Sequence, residues 1–379
     1  MEDIDIHKRT LLGAGMGRRE RDLSSTRANL LYKFMYNGYH MNVLWLRPSN
    51  RWDGENVSSR RERIAEHLQE MGVEVNLMDT SGLDSLSVLK EAITGDYDII
   101  VGTVRVGVPV GYFLSKILRK PFIASVSDPL DSQDYLSSPA YKLVCFVEWQ
   151  ILKRADAVFF VESTSYENAL EHDIEGTIAR NSANYEMFAN PDEEVIQKAE
   201  DILTGKDVDI DKNIAIYIGS LTENGHFDEI VEAAKITPSC DFVFVGEDWG
   251  ANIRELIDGV DNAYFLGSYE HDLMPGFLYH SSAAFCLVNT EMSLKINEYG
   301  AAGLPTLGYP GKQKKVFSDD ELIYVNPSPE TIFEKLKRIK SDDDYSRKYS
   351  ENLRSHAKKH QWADVAQKYY EKMDALVNE

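Results

Sequence analysis

The sequence predicts an α/β chain made of two doubly wound parallel-sheet domains. Two observations carry this. Short apolar runs bounded by polar residues alternate along the chain with longer amphipathic stretches, the pattern of parallel strands covered on both faces by crossover helices. The alternation also runs through twice, once before and once after an acidic connection at residues 191–212. A length of 379 residues with 43% apolar content suffices for two domains of ordinary size.

The first strand is expected at residues 42–46 (NVLWL), followed by a helix at 58–71 and a second strand at 73–77, a β-α-β unit. Residues 1–40 precede that unit and read as an N-terminal extension, poorly ordered. Their glycine cluster at 13–17 lacks the strand before it and the helix after it that phosphate binding needs, so it reads as linker. Strands at 97–102, 121–127 and 157–161 then alternate with helices at 110–118 and 139–154, completing a domain over 41–190. Function in such sheets lies at the carboxyl ends of the strands. Asp128 stands at one of them, either as a site residue or as a turn former in SDPLD.

A second domain is expected over 191–360. Its strand at 214–218 leads into the loop GSLTENG, a helix at 227–235 and a strand at 242–246 that ends in Gly246. A strand at 263–267, a loop containing Tyr269 and His271, a helix at 273–280 and a strand at 283–288 follow. The segment after that last strand, TEMSLKINEYGAAGLPT at 290–306, is the densest in chemistry. Ser293 is placed to cap a helix in which Ile296, Tyr299, Gly300 and Gly303 recur at helical spacing before Pro305 prevents continuation. A helix N-terminus after a parallel strand offers unpaired N–H groups and the positive dipole end to a phosphate, beginning at Ser293 and Leu294. Lys295 adds a cation, and Glu298, three residues on, is a carboxylate able to accept from a ribose diol. A bare K-x-x-E also fits an ordinary surface pair on an amphipathic helix.

The stretch LKINEYGAAGLPT resembles the L-K-x-x-E-Y-x-A-A-G-x-P-V segment of GT-B glycosyltransferases of the family 4 type (glycosyl transferases group 1), and RNSANYEMF at 180–188 is similar to the N-G-V-D-x-x-x-F segment that ends their first domain. The resemblance implies a GT-B fold of two Rossmann-like domains. The first would hold the acceptor and the second a nucleotide-sugar donor, with a boundary near Asn190. Residues 361–379, opening on HQW, would return as a helix to the first domain. It implies a hexosyltransferase moving a sugar from a UDP- or GDP-sugar to a glycan or lipid-linked acceptor, in surface polysaccharide or glycoconjugate synthesis. No cofactor and no metal are expected, since helix dipole and side-chain cations neutralise the diphosphate. Donor contacts carry over to Gly219, Ser220, Gly246, Tyr269, Ser293, Leu294, Lys295 and Glu298. Asp128 is the candidate base and Glu291 the other catalytic candidate.

Two departures from the family pattern matter. The family's G-R-x-x-x-x-K-G is here occupied by Ser220 and Asn224 at the two charged positions, leaving Lys295 to supply the cation, as in the S-L-K motif of xanthan-type glucuronosyltransferases. Glu291 and Glu298 stand one residue closer than the family's E-x7-E. These departures also admit a second reading, a non-catalytic GT-B subunit that binds a nucleotide or stabilises an active partner.

Composition narrows the partners. A net charge of −21 argues against nucleic acid, whose binding rests on clustered cations. Residues 1–190 carry 21 basic and 27 acidic side chains, so most of the excess belongs to the second half. Local basic clusters at Arg18, Arg19, Arg21 and Arg27, at Arg60, Arg61 and Arg63, and at Lys116, Arg119 and Lys120 fit either anionic lipid headgroups or solvated helix faces. The expected location is cytoplasmic, with peripheral contact at the inner membrane face left open. No apolar run reaches membrane-span length, and Cys145, Cys240 and Cys286 are widely spaced core residues with no metal or disulfide pattern.

Overall fold

The computed structural model describes residues 40–47, 60–80, 85–103, 106–127 and 139–378. The expected N-terminal extension, its glycine cluster and the arginines at 18–27 lie outside the described residues, as does Asp128.

The first sheet contains β1 (Met41–Arg47), β2 (Val73–Asp79), β3 (Ile99–Thr103), β4 (Phe122–Val126), β5 (Ala157–Phe160) and β6 (Thr177–Ile178). All pairings are parallel, in the order β2-β1-β3-β4-β5-β6. Because successive strand residues point to opposite faces, β1 feeds two cores. Val43 and Trp45 face one side, against Ile64 and Leu68 of α1 (Arg60–Glu70). Leu44 and Leu46 face the other, where α2 (Ser85–Thr94), α3 (Gly107–Leu118) and α4 (Pro139–Leu152) lie. The sequence alternation therefore corresponds to strands buried on both faces, as expected.

The second sheet contains β7 (Asn213–Ile218), β9 (Cys240–Val245), β11 (Ala263–Gly267), β12 (Ala283–Cys286), β13 (Thr306–Gly308) and β14 (Ile323–Tyr324), again all parallel, in the order β11-β9-β7-β12-β13-β14. A two-stranded ribbon of β8 (Leu221–Thr222) and β10 (Asp248–Trp249) stands beside it. Ala215, Tyr217, Phe242 and Phe244 pack on one face with α8 (Phe227–Lys235). Ile214, Ile216, Val243 and Val245 pack on the other with α7 (Glu193–Thr204) and α10 (Met274–Tyr279). The chain thus winds outward in one direction from β7 and in the other from β12, which makes the gap between those two strands the topological switch point where ligands bind.

The domain handover differs slightly from the expectation near Asn190. Helix α6 (Tyr185–Ala189) buries Phe188 in the core of the second sheet, so the crossover precedes it. The returning helix is present: α14 (Trp362–Asn378) places Trp362, Val365, Tyr369 and Met373 in the first domain's core. Tyr369 stacks on Phe159 with ring centroids 3.9 Å apart and meets Ser125 Oγ at 2.7 Å through its hydroxyl. Removing this helix would open one face of the first sheet to water. The three cysteines are buried, as expected.

Candidate functional site

The site is assembled at the carboxyl ends of β7 and β12. Beyond β7 the chain turns at Gly219, whose φ of +128° favours glycine. Beyond β9 it turns at Gly246, with φ of +142°, where a Cβ would lie 2.0 Å from the Gly219 carbonyl oxygen. The two glycines therefore stack their backbones, and neither tolerates a side chain. A Cβ on Gly219 would also lie 2.8 Å from Lys295 Nζ, so the bare turn makes room for the lysine.

Lys295 belongs to α11 (Leu294–Ala302), which begins after β12 where the motif predicted it. Its C-terminus is also as expected, with Gly303 left-handed at φ +77°. Ser293 occupies the N-cap position with extended backbone, but its side chain makes no capping hydrogen bond. The expected cap is absent, and the first N–H groups of the helix keep their hydrogen-bonding capacity for a ligand. The helix is held from behind. Buried Tyr299 accepts from the Ile218 N–H at 2.8 Å, fastening α11 to the end of β7, and Gln313 donates to the Cys286 and Val288 carbonyls, fixing the loop that leads from β12.

The half-buried Lys295 ammonium donates to the Tyr217 hydroxyl at 2.6 Å and lies 4.0 Å from the centre of that ring. Tyr217 in turn donates to the Ser220 carbonyl at 2.8 Å. Burial works against the lysine's charge, but the Tyr217 oxygen and the Cys286 sulfur outweigh it and raise its pKa. Lys295 is therefore a cation at neutral pH, and among the described residues no carboxylate lies within ion-pair distance of it. It borders a cavity of about 410 Å³ lined by Gly219, Ser220, Ser293 and Leu294 from the second domain and by Ser127, Val161, Glu162 and Asn181 from the first.

Glu298 is buried one turn along the helix, with Oε1 2.8 Å from His271 Nε2. Burial opposes a charged imidazole, yet the hydrogen bond and charge of Glu298 raise the His271 pKa. The other ring nitrogen of His271 is buried without a hydrogen-bond partner. His271 is thus a partner of the candidate ribose carboxylate and not the surface-loop histidine that its polar neighbourhood suggests. Tyr269 packs on Phe277 with centroids 5.4 Å apart and is not on the cavity wall.

Glu291 departs furthest from expectation. It is fully buried, and both carboxylate oxygens are occupied by the first domain. The N–H groups of Ser163 and Thr164 donate to Oε2 and Oε1, each at 2.7 Å, and the Thr164 hydroxyl donates as well. These residues open α5 (Ser163–Glu171), so Glu291 caps a helix of the opposite domain and sits at its positive dipole end. Burial raises the carboxyl pKa, but these hydrogen bonds more than offset it and leave it lowered. A carboxylate so engaged clamps the two domains together. The cluster Arg60, Arg61 and Arg63 also has structural work. Arg60 donates to the Ala179 carbonyl and Asn181 and lies over Trp362, while Arg63 pairs with Glu66.

Tyr217 and Glu162 line the site without having been singled out in the sequence, because each lies at the end of an apolar run that carries no local signature, whereas Asn181 belongs to the segment RNSANYEMF. Among the described residues no group of three or more His, Cys, Asp or Glu side chains is arranged to hold a metal, and no helix is long and apolar enough to cross a membrane.

Residues 226–371 match the glycosyl transferase-like protein family. No curated protein matches the chain in sequence. Among solved structures, it is similar to Anabaena Alr3699/HepE in complex with UDP and glucose, at 16% identity and a TM-score of 0.68 over 89% of this chain and 100% of that one. Sucrose-phosphate synthase from Thermosynechococcus elongatus gives 16% identity and a TM-score of 0.69 over 89% and 99%. A glycosyltransferase from Rickettsia africae gives 17% and 0.67, again over 89% and 99%. The two parallel sheets and these likenesses identify the fold as GT-B, two Rossmann-like domains about a cleft.

Proposed function

We propose that this GT-B chain, whose second domain is glycosyl transferase-like, moves a hexosyl group from a UDP-sugar to a hydroxyl of a glycan or lipid-linked saccharide in surface polysaccharide or glycoconjugate synthesis. The observation that carries this reading is Lys295: a cation with no carboxylate partner among the described residues, beside an uncapped helix N-terminus, at the switch point of a parallel sheet. That is the environment a departing diphosphate needs. UDP is favoured because the similar HepE structure holds UDP and glucose.

In the proposed reaction the acceptor oxygen attacks the anomeric carbon as the bond from that carbon to the diphosphate oxygen breaks. Negative charge grows on the leaving diphosphate, where the N–H groups of Leu294 and Lys295 and the Lys295 ammonium receive it. Gly219 and Gly246 keep the approach clear, and Ser220 contributes backbone where the family pattern has arginine. Glu298, oriented by His271, receives the ribose diol. Asp128, which follows β4 in the sequence, is assigned the acceptor proton. Helix dipole and lysine do the neutralising, so the reaction is assigned no metal.

A thermal-shift panel of nucleotides and nucleotide sugars tests this, since a ligand that binds only the folded state raises the melting temperature by mass action. UDP and a UDP-sugar should stabilise the protein and nucleoside monophosphates less. Glu298→Ala should weaken UDP by ~10-fold, the worth of a charged hydrogen bond. No shift with any nucleotide sinks the donor site. Binding with no sugar transfer to any acceptor favours instead the non-catalytic subunit that the uncharged Ser220 and Asn224 suggest.

A further inference from the structure

We infer that Glu162 sets the sugar class of the donor, admitting a neutral hexose or its N-acetyl form and rejecting a uronic acid; this rests on the reading of the Lys295 cavity as a nucleotide-sugar site. The cavity has two unlike walls. The second domain supplies Lys295 and the N–H groups at the start of α11, a wall that suits a diphosphate. The first domain supplies Glu162, which among the described residues lining the cavity is the one acidic side chain. Strand pairing delivers it there. Val161 donates to the Val126 carbonyl at 3.2 Å, continuing the ladder between β4 and β5, so Glu162 emerges at the carboxyl end of the sheet level with Ser127. With the ribose at Glu298 and the diphosphate at Lys295, the sugar is the part of the donor left to extend towards the first domain.

The start of α5 explains why this carboxylate faces the cavity. Glu162 occupies the N-cap position with extended backbone, φ −108° and ψ 146°, and makes no capping hydrogen bond. Glu291 of the second domain caps the helix in its place, accepting from the Ser163 and Thr164 N–H groups. Two carboxylates therefore share one helix start, and its positive dipole end favours the ionised form of both. An ionised carboxylate only accepts hydrogen bonds, and its two oxygens can receive adjacent hydroxyls of a neutral sugar. A uronic acid would bring a second anion against it. Lys295 is matched to the diphosphate, and among the described residues no further cation lines the cavity. Two other cations do touch the first turn of α5. Lys315 donates to Glu167 at 2.7 Å and lies 3.8 Å from Glu291, while Arg180 donates to the Ser163 hydroxyl; neither lines the cavity. At close range in a partly enclosed cleft, like-charge repulsion then outweighs any contact the extra oxygens of a uronic acid gain.

Calorimetric titration of the full-length protein tests this, with UDP, UDP-glucose, UDP-galactose, UDP-N-acetylglucosamine and UDP-glucuronate as probes. The tightest of the three neutral donors should bind at least ~10-fold more tightly than UDP-glucuronate, and UDP-glucuronate should bind less tightly than UDP itself. Glu162→Gln removes the charge and keeps the shape, so UDP affinity should hold while the gap between neutral and acidic donors closes to about twofold. Glu162→Ser, which puts a preferred N-cap residue at the same place, should behave alike and guards against a glutamine variant that misfolds. Circular dichroism melts check both. A wild-type gap smaller than ~10-fold overturns the inference, as does a gap that persists undiminished in a folded variant. Absence of UDP binding defeats the donor-site reading and the inference together, whereas UDP binding without discrimination among the sugars defeats the inference alone.

Discussion

Lys295 and Glu291 stand four residues apart and do opposite things, because one faces a cavity and the other is enclosed by a second domain. The position of Lys295 was legible: a strand, a cap-type residue, a cation and a C-terminal glycine lie within one local segment. The role of Glu291 was not, since its partners Ser163 and Thr164 come from the other domain and nothing local signals them. The same holds for Tyr217, which reads as one more apolar strand residue until the fold brings Lys295 to its hydroxyl. Glu291→Ala leaves two buried N–H groups unpaired and should lower stability by about 2–4 kcal/mol in a denaturant titration. UDP affinity measured on the folded fraction should stay within a few-fold of wild type. A stable variant with abolished turnover would return Glu291 to the chemistry.

Among the elements, strands and their order were readable because burial on both faces forces continuous apolar runs, and the helix α11 because its ends are marked. Short and amphipathic pieces were less so. The helix α5 had no apolar signature, and the long helix α13 (Asp343–Lys359), rich in charge, is fixed mainly by contacts it makes far along the chain. Gly300 of α11 is explained by that helix: a Cβ there would lie 2.8 Å from Leu353. One tie on α13 titrates. Burial favours the protonated Glu321 carboxyl, but the His356 side chain at 3.0 Å and the Ser318 N–H outweigh it and hold its pKa down to about 2. A carboxyl depressed on folding contributes stability that is full above its unfolded pKa of 4.5 and is lost as pH falls towards 2. Equilibrium unfolding across that window should therefore show an acid-dependent loss of about 1 kcal/mol, allowing for solvent screening, that Glu321→Gln removes. Equal acid dependence in both proteins would place the loss elsewhere.

At the scale of the whole molecule the ties between the domains include the connection around Tyr185, the returning helix α14, the Glu291 clamp and the Lys315–Glu167 ion pair at 2.7 Å. The resemblance anticipated the return of α14, but the packing of Tyr369 on Phe159 belongs to tertiary structure alone. The cleft is lined by Lys295, a cation of the second domain, within a chain of net charge −21. An anionic donor therefore meets a locally positive site in an acidic protein, and its binding should weaken with salt. The most direct test is a calorimetric titration of UDP into the wild-type protein and into Lys295→Ala. The site described here predicts one UDP per chain and ~10 to 100-fold weaker binding by the variant, the worth of a charge-assisted phosphate contact. Equal affinity in the two proteins, or no heat with wild type, would contradict it.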